Sequence, residues 1–458
     1  MPRPEHQPPQ SAREVALRAL RDVDVKESYA NLALDAHLTR SKLEPRDRGL
    51  ATELVYGVTR RRATVDWLIG QVAARPLAQI DPWIRNDLRL AAYQILYMDR
   101  IPKSAAVDEA VELARRYGHE GVAKFVNGVL RNVIRKLPTL DWPNPERDGA
   151  KALAILHSHP EWLVKAWTEG FGPEEAVRLM EASNRIPPLT IRVNTLKVSR
   201  EELAEALAAE GVKTEPTTHS PYGLIIHDLT SASYLDRLKA MKNGLMTVQD
   251  ESSMLVAAVV DPQPGQTVID VAAAPGGKTT HMAELMANQG QVIAMDIHAH
   301  RIDLITENAK RLGTSIIEGV CADARQVGRL MPGRADAILC DVPCSGLGTL
   351  ARRPDARWRK QPGDIDELVP IQQAILESAA EALKPGGTLV YSTCTIQPRE
   401  NQELVAAFVA NHPEFRFDDI RPYLPPGLAA AAGDGWVQLL PHIHGTDGFF
   451  IARLKKQG

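Results

Sequence analysis

Three things are scarce in this sequence, and each scarcity removes a class. Cysteine comes first: 458 residues hold four, at 321, 340, 344 and 394. Crowded into the C-terminal third, they cannot staple the chain, which excludes a secreted disulfide framework. The paired C-x2-C knuckles of a structural zinc site are also missing, so no metal is expected. No stretch approaches the ~20 consecutive apolar residues of a membrane helix, and the opening MPRPEHQPPQ lacks the apolar run of a signal peptide. A cytoplasmic protein without a membrane partner is the expectation. A dominant charge is the third absence, with 54 Lys/Arg against 57 Asp/Glu and a formal net charge of −3. That balance hides an asymmetry: residues 1–150 carry 24 cations and 20 anions, leaving 30 and 37 for the rest. The front end is the more basic part.

The length prior suggests about three domains of ~100–200 residues. Residues 1–10 form a Pro-rich tip expected to be disordered. Residues 11–140 read as a helical bundle, with Ala12, Val15, Ala16, Ala19, Leu20 and Val23 at i, i+3, i+4 spacing and the same period in Leu50, Leu54, Val55, Val58 and in Leu88, Ala91, Ala92, Ile95, Leu96. Asp47, Asp81 and Ser104 stand where N-caps belong, and Gly70 and Gly118 where helices stop. Cations gather at Arg60, Arg61 and Arg62, at Arg115 and Arg116, and at Arg131, Arg135 and Lys136; a solvated face and a phosphate-contacting face both remain open.

Residues 141–240 begin in the linker-like LPTLDWPNPERD and continue as a small α+β module: a strand in PLTIRVNTL, a helix opened by the capping box Ser199-x-x-Glu202, and a strand in YGLIIHD. From 241 to 458 short β-branched strands alternate with helices, in TVIDV, QVIAMD, DAILCD and GTLVYS. Such alternation means a parallel sheet with helices on both faces, binding its ligand outside the carboxyl ends of the strands where strand order reverses.

The first of these strands runs into VAAAPGGKTT, where Gly276 and Gly277 allow close backbone approach. A phosphate loop would need Gly at 272 and finds Ala272. Asp296, at the end of the second strand, stands where a ribose diol is held, and Asp323 follows the third, suited to the base or its neighbours. Together they point to a nucleoside-type ligand, which a P-loop NTPase reading leaves unexplained.

Strand four then delivers Asp341 and Cys344, and strand five delivers Cys394. Two thiols and a carboxylate beside a nucleoside site suit one chemistry. Carbon 5 of cytosine is a poor nucleophile, but a thiolate adding to C6 leaves an enamine whose C5 takes a methyl group from a sulfonium donor. A carboxyl group near N3 would assist as charge builds there, and a second group must help release the enzyme. The chemistry alone does not rank the two thiols.

DVAAAPGGKT, DVPCSGLGT and YSTCTIQPRENQ resemble the motifs of RNA 5-methylcytosine methyltransferases of the NOL1/NOP2/Sun family. SYANLALD, LATELVYGVTRRR, RLAAYQILYMDRIP and FVNGVLRN are similar to the NusB-like RNA-binding domain of the bacterial member acting on small-subunit ribosomal RNA. The resemblance covers nearly the whole chain. It implies an all-α NusB-like domain, a small α+β connector and a Rossmann-like class I methyltransferase domain. It also implies methyl transfer from S-adenosylmethionine to C5 of a cytosine in 16S rRNA, with position 967 the target, by a monomer. On this pattern Ala272, Ala273, Ala274, Pro275, Gly276, Gly277, Lys278, Asp296, Asp323 and Asp341 bind the donor, Cys394 is the nucleophile, Cys344 assists elimination, and Asp341 and Lys278 support catalysis. The family usually has Cys where Ala272 stands and often an acid where Arg399 stands.

RRPDARWRK, following the Pro-Cys motif, has a composition suited to phosphate and base contacts, so Arg352, Arg353, Arg357 and Trp358 join Arg60, Arg61 and Arg62 as candidate RNA contacts. His442 and His444 read as surface or packing residues. Alternatives to the rRNA reading are another RNA, such as tRNA, as substrate, and a non-catalytic RNA-binding factor; keeping both Cys344 and Cys394 speaks against the latter.

Overall fold

A computed structural model describes residues 7–227 and 232–458. It divides into two compact units, residues 1–185 with 350–359, and residues 186–349 with 360–458.

The first unit is helical. Helices α1 (Ala12–Val25), α2 (Ala30–Thr39), α3 (Pro45–Arg60), α4 (Arg62–Gly70), α5 (Pro82–Tyr97), α6 (Lys103–Tyr117) and α7 (Glu120–Lys136) enclose a core of Val15, Leu54, Leu68, Leu88, Val126 and Leu130. Val15, Leu54 and Leu88 belong to the apolar period read from the sequence, which places one stripe of each helix inward. Ser11 caps α1 by accepting from the Glu14 amide, and Asp81 caps α5 by accepting from that of Trp83. Asp47 and Ser104 are one turn too late for the cap role: their helices start at Pro45 and Lys103, so both sit inside the first turn. Of the tip expected to be disordered, residues 1–6 lie outside the described residues, while 7–10 are held to α1, Arg18 donating to the Gln7 carbonyl and the Gln10 amide to Glu14. The unit also runs past the expected boundary at 140, taking in α8 (Pro145–Leu156), α9 (Glu161–Phe171) and α10 (Pro173–Ala182).

The segment 350–359 corrects the RNA-contact expectation for several residues. Arg357 is fully buried within the first unit. Its guanidinium donates to Asn184 Oδ1 (2.8 Å), Ser183 O (2.9 Å) and Ser158 O (3.0 Å), with no acid beside it. Trp358 Nε1 donates to Thr59 O (2.7 Å), and the Arg62 guanidinium lies over the indole at 5.5 Å. Arg60 is buried and donates to Ala351 O, while Arg61 covers the Tyr97 ring. The Arg60 and Arg357 guanidinium ends and the Trp358 Nε1 are therefore structural, because they donate to backbone carbonyls or to the Asn184 side chain inside the first unit. Arg353 is exposed.

The second unit holds two sheets. The smaller is antiparallel, β1 (Leu189–Val193), β2 (Thr214–Pro216), β3 (Gly223–Ile226) and β4 (Met246–Val248) in order β2-β3-β1-β4. Its helix Arg200–Ala209 opens with the expected Ser199/Glu202 capping box. Of the YGLIIHD run, Asp228 lies outside the described residues. The larger sheet contains β5 (Thr267–Asp270), β6 (Gln291–Asp296), β7 (Ile317–Cys321), β8 (Ala335–Asp341), β9 (Leu383–Thr393), β10 (Phe415–Phe417), β11 (Trp436–Leu439) and β12 (Phe449–Lys456). Its order is β10-β12-β9-β8-β5-β6-β7, with β11 paired to β12. Strands β5 to β9 are parallel and β12 joins β9 antiparallel. Strand order reverses between β5 and β8, so the ligand crevice of the Rossmann-like sheet falls where the AAAPGGK and VPCSG loops leave it. Among the described residues no helix is long and apolar enough to cross a membrane.

Candidate active site

The β5 loop is shaped by its glycines and its ties to the sheet. The Ala273 amide donates to Met295 O on β6, and Gly276 turns the chain at φ 99°, a conformation that disfavours a side chain. The helix Gly277–Leu285 follows immediately, and no side chain caps its N-terminus, so the amides of its first turn have no partner within the helix. Below the loop, Asp270 is buried and accepts from Thr279 Oγ1 at 2.7 Å. Burial first, then the neighbouring Asp341, pushes its carboxyl up to about 7.

Across the reversal point Lys278 Nζ lies 2.7 Å from Asp341 Oδ2, while Ser392 Oγ donates to Oδ1 at 2.8 Å. Both side-chain oxygens of Asp341 therefore accept hydrogen bonds, tying it to Lys278 and to Ser392. Burial would lower the Lys278 ammonium, but Asp341, with help from the charge of Cys394, carries it above its ordinary value. Its Nζ also lies 5.1 Å from the Phe449 ring centre.

Asp296 ends β6 with its side chain almost wholly buried; Oδ1 accepts from the His298 amide and Arg301 stands 3.6 Å from Oδ2. Asp323 caps a short 3-10 turn, residues 324–326, and Arg325 grips it bidentately, lowering its pKa. The acids at 296 and 323 thus reach the same sheet edge as the β5 loop, one recessed and one paired with a neighbour.

Cys344 and Cys394 face one another with Sγ atoms 3.4 Å apart. The hydrogen bond to Cys394, then burial, pushes the Cys344 thiol well up. What holds the pair was not singled out from sequence: Glu400 and Asn401, in the PREN stretch. Buried Glu400 accepts from the Ser345 amide (2.8 Å) and from Gln372 Nε2 (2.9 Å), and Gln372 also donates to Pro343 O. Tyr391 Oη donates to the Glu400 carbonyl. Asn401 accepts from Thr393 Oγ1 and donates to Thr395 O, one residue on either side of Cys394. Two adjacent polar side chains six and seven residues after the Cys of a Thr-Cys motif, in a stretch with no apolar period, were the available signal. Arg399, by contrast, is exposed and pairs with exposed Asp366 at 2.7 Å, outside this network.

The two thiol turns are also welded through backbone. The Gly348 amide donates to Cys394 O (3.0 Å), and the Gly448 amide to Gly348 O (2.8 Å). A Cβ on Gly348 would collide with the Gly448 carbonyl. Among the described residues no group of three or more His, Cys, Asp or Glu is placed to hold a metal ion, Cys340 is buried within the sheet and Cys321 is exposed on its far strand. His442 and His444 lie on the short helix Pro441–His444, where His444 Nδ1 accepts from the Leu440 amide.

Comparison with known proteins places these features in context. Residues 257–455 match the family described as 16S rRNA methyltransferase RsmB/F, residues 10–135 the NusB family, and residues 159–240 the ferredoxin-like domain of RsmF/B-like methyltransferases. The chain is 42% identical to the probable ribosomal RNA small subunit methyltransferase B of Bacillus subtilis, over 98% of its own length and 99% of that protein's. It is 41% identical to the corresponding Synechocystis protein, over 97% and 99%. Among solved structures, that of PH0851 superposes with a TM-score of 0.79 at 30% identity, covering 96% of this chain and 98% of that one. NSun6 from Pyrococcus horikoshii, solved with SFG, gives 0.58 at 29% identity, covering 66% and 100%.

Proposed function

We propose, from the premise that this chain belongs to the RsmB/F family and is an RNA methyltransferase, that it methylates C5 of a cytosine in 16S rRNA, cytosine 967 being the expected target. The observation that carries the reading is the pair of thiols 3.4 Å apart, beside the Lys278–Asp341 pair and at the point where strand order reverses. S-adenosylmethionine supplies the methyl group. The chain has a fitting cradle for it: a turn whose Gly276 and Gly277 leave the backbone bare, a helix N-terminus, and the recessed carboxylate of Asp296 for a ribose diol.

The family motifs divide the work between the two thiols. Two thiols this close do not both ionise easily, and the hydrogen bond to Cys394 and burial push the Cys344 thiol up. Cys394, on the Thr-Cys motif, is read as the nucleophile, near enough to raise the Lys278 ammonium by its charge. Its sulfur adds to C6, and the electron pair of the C5–C6 bond shifts to C5, which takes the methyl group. Lys278, fixed by Asp341, meets negative charge developing on the base. A base then removes the C5 proton, and the electrons of that C–H bond restore the double bond as the Cys394 sulfur leaves; Cys344, 3.4 Å from that sulfur, assists the release. The first unit, NusB-like by its match, supplies RNA affinity, and the protein acts as a monomer.

The deciding experiment maps 5-methylcytosine across cellular RNA with and without the gene. Loss at one 16S position is expected; loss confined to tRNA would move the substrate, and an unchanged map would overturn the reading.

A further inference from the structure

The small α+β module sits in the same compact unit as the large sheet, and one buried arginine explains why that matters. Arg192, on β1, has a side chain with no exposed surface. All five of its N–H donors are used: Nε and one Nη2 hydrogen on the Glu284 carboxylate (3.2 and 2.7 Å), the other Nη2 hydrogen on Thr280 Oγ1 (3.1 Å), and Nη1 on Gly277 O (2.6 Å) and on Gln249 Oε1. Three of those acceptors, Gly277, Thr280 and Glu284, belong to the helix that leaves the β5 loop. Thr280 Oγ1 in turn donates to Gly276 O at 2.8 Å. Gly277 is thus held directly and Gly276 through one intermediary.

Those two glycines cannot hold themselves. Glycine loses the most backbone freedom on ordering, and a turn that meets its ligand through bare backbone has no side chains of its own to pack. A rigid brace from outside must supply the order, and the ordering cost is then met before the ligand arrives. The planar, five-donor fork of arginine spans a carboxylate, a hydroxyl and a carbonyl at once; the three-donor ammonium of lysine does not reach them together. The module adds two further contacts to the same helix, Tyr222 packing edge-on against buried His281 at 4.8 Å and the Gln249 amide lying 3.8 Å from where a Gly277 side chain would start.

We infer that Arg192 is a positioning residue for the methyl donor, and that the small module is a working part of the donor site, holding the Gly276–Gly277 turn in its binding shape. The inference rests on the reading of that turn as the S-adenosylmethionine site.

The test uses the full chain. Arg192→Lys keeps the charge opposite Glu284 and loses the fork; Arg192→Met with Glu284→Met removes both charges, a replacement that buried ion pairs often tolerate. In each, S-adenosylmethionine affinity by calorimetry should weaken about tenfold or more, with KM for the donor rising further than kcat falls and RNA affinity unchanged. Amide exchange should quicken at Gly276 and Gly277 while the strands keep their protection. Donor affinity within about twofold of the parent in a folded variant overturns the inference. Should both variants fail to fold, Thr280→Val removes the hydroxyl that links Arg192 to Gly276 and leaves the other Arg192 contacts in place; a weakening of about threefold is expected, no change being the overturning result. Failure of the parent chain itself to bind the donor would instead bring down the assignment of the turn.

Discussion

Cys344 and Cys394 stand sulfur to sulfur at 3.4 Å, each on its own turn, and neither is joined to the other by a disulfide. If one attacks and the other releases, their alanine variants behave oppositely. Cys394→Ala should make no product and no covalent RNA adduct. Cys344→Ala should attack and methylate but release poorly, leaving an enzyme–RNA band that survives denaturing electrophoresis. An adduct from Cys394→Ala and none from Cys344→Ala would exchange the roles.

Asp296→Ala removes a buried acceptor for two ribose hydroxyls. Donor affinity should fall by ~1.5–3 kcal/mol, about ten- to a hundredfold, with RNA affinity nearly intact. Calorimetry with S-adenosylmethionine reads it directly, and an unchanged dissociation constant would remove the ribose role.

Glu400→Ala removes the carboxylate that accepts from the Ser345 amide and from Gln372 Nε2. The Pro-Cys turn should shift, and because a displacement of about 1 Å costs on the order of a hundredfold, kcat should fall by about that factor with donor binding unaffected. Single-turnover kinetics on the RNA substrate checks this.

Arg357→Met should act on stability rather than on RNA. Its loss leaves the carbonyls of Ser158 and Ser183 and the Asn184 amide oxygen unsatisfied in the first unit, a cost of about 2–4 kcal/mol after relief of the buried charge. Denaturant unfolding should show that loss, with the salt dependence of RNA binding at its parent slope. A changed slope with unchanged stability would return Arg357 to the RNA interface.

Asp270 sets a pH dependence. Its folded carboxyl titrates at about 7, above the ordinary range near 4, so the folded chain binds that proton more tightly than the unfolded one. Its stabilising effect is whole below pH ~4 and is lost as pH rises through about 7, amounting to a few kcal/mol. Asp270→Asn should remove this loss, so the melting-temperature advantage of the variant should grow between pH 5 and pH 8. A constant difference would show Asp270 to be ionised throughout.

Local pattern made much of this legible in advance. Apolar periods marked helices and strands because one face of each is buried, and the strand-end rule brought Asp296, Asp341, Cys344 and Cys394 to one edge. What escaped was set by partners far along the chain. Arg192 carried no signal inside its strand and Arg357 read as an RNA contact, yet both are buried, one against Glu284 and the other against Ser158 and Asn184. Nothing local distinguishes such an arginine from a solvated one. Asp341 was placed at that edge, but its partners there, Lys278 and Ser392, lie 63 and 51 residues away. Glu400 and Asn401 were visible as a motif, but their task depends on which turns they touch.

The weld between Gly348 and Gly448 bears on how the chain comes into being. A ribosome has already made Cys344 and Cys394 when it reaches Thr395, and it must still add everything to Gly448 before that glycine can close on Gly348 and β12 can line β9. Nascent chains therefore carry both sulfurs before the strand that clamps their turns exists. Since domains condense as units during synthesis, the backbone tie between the Gly348 turn and Gly448 is among the last contacts of the site that the growing chain can make.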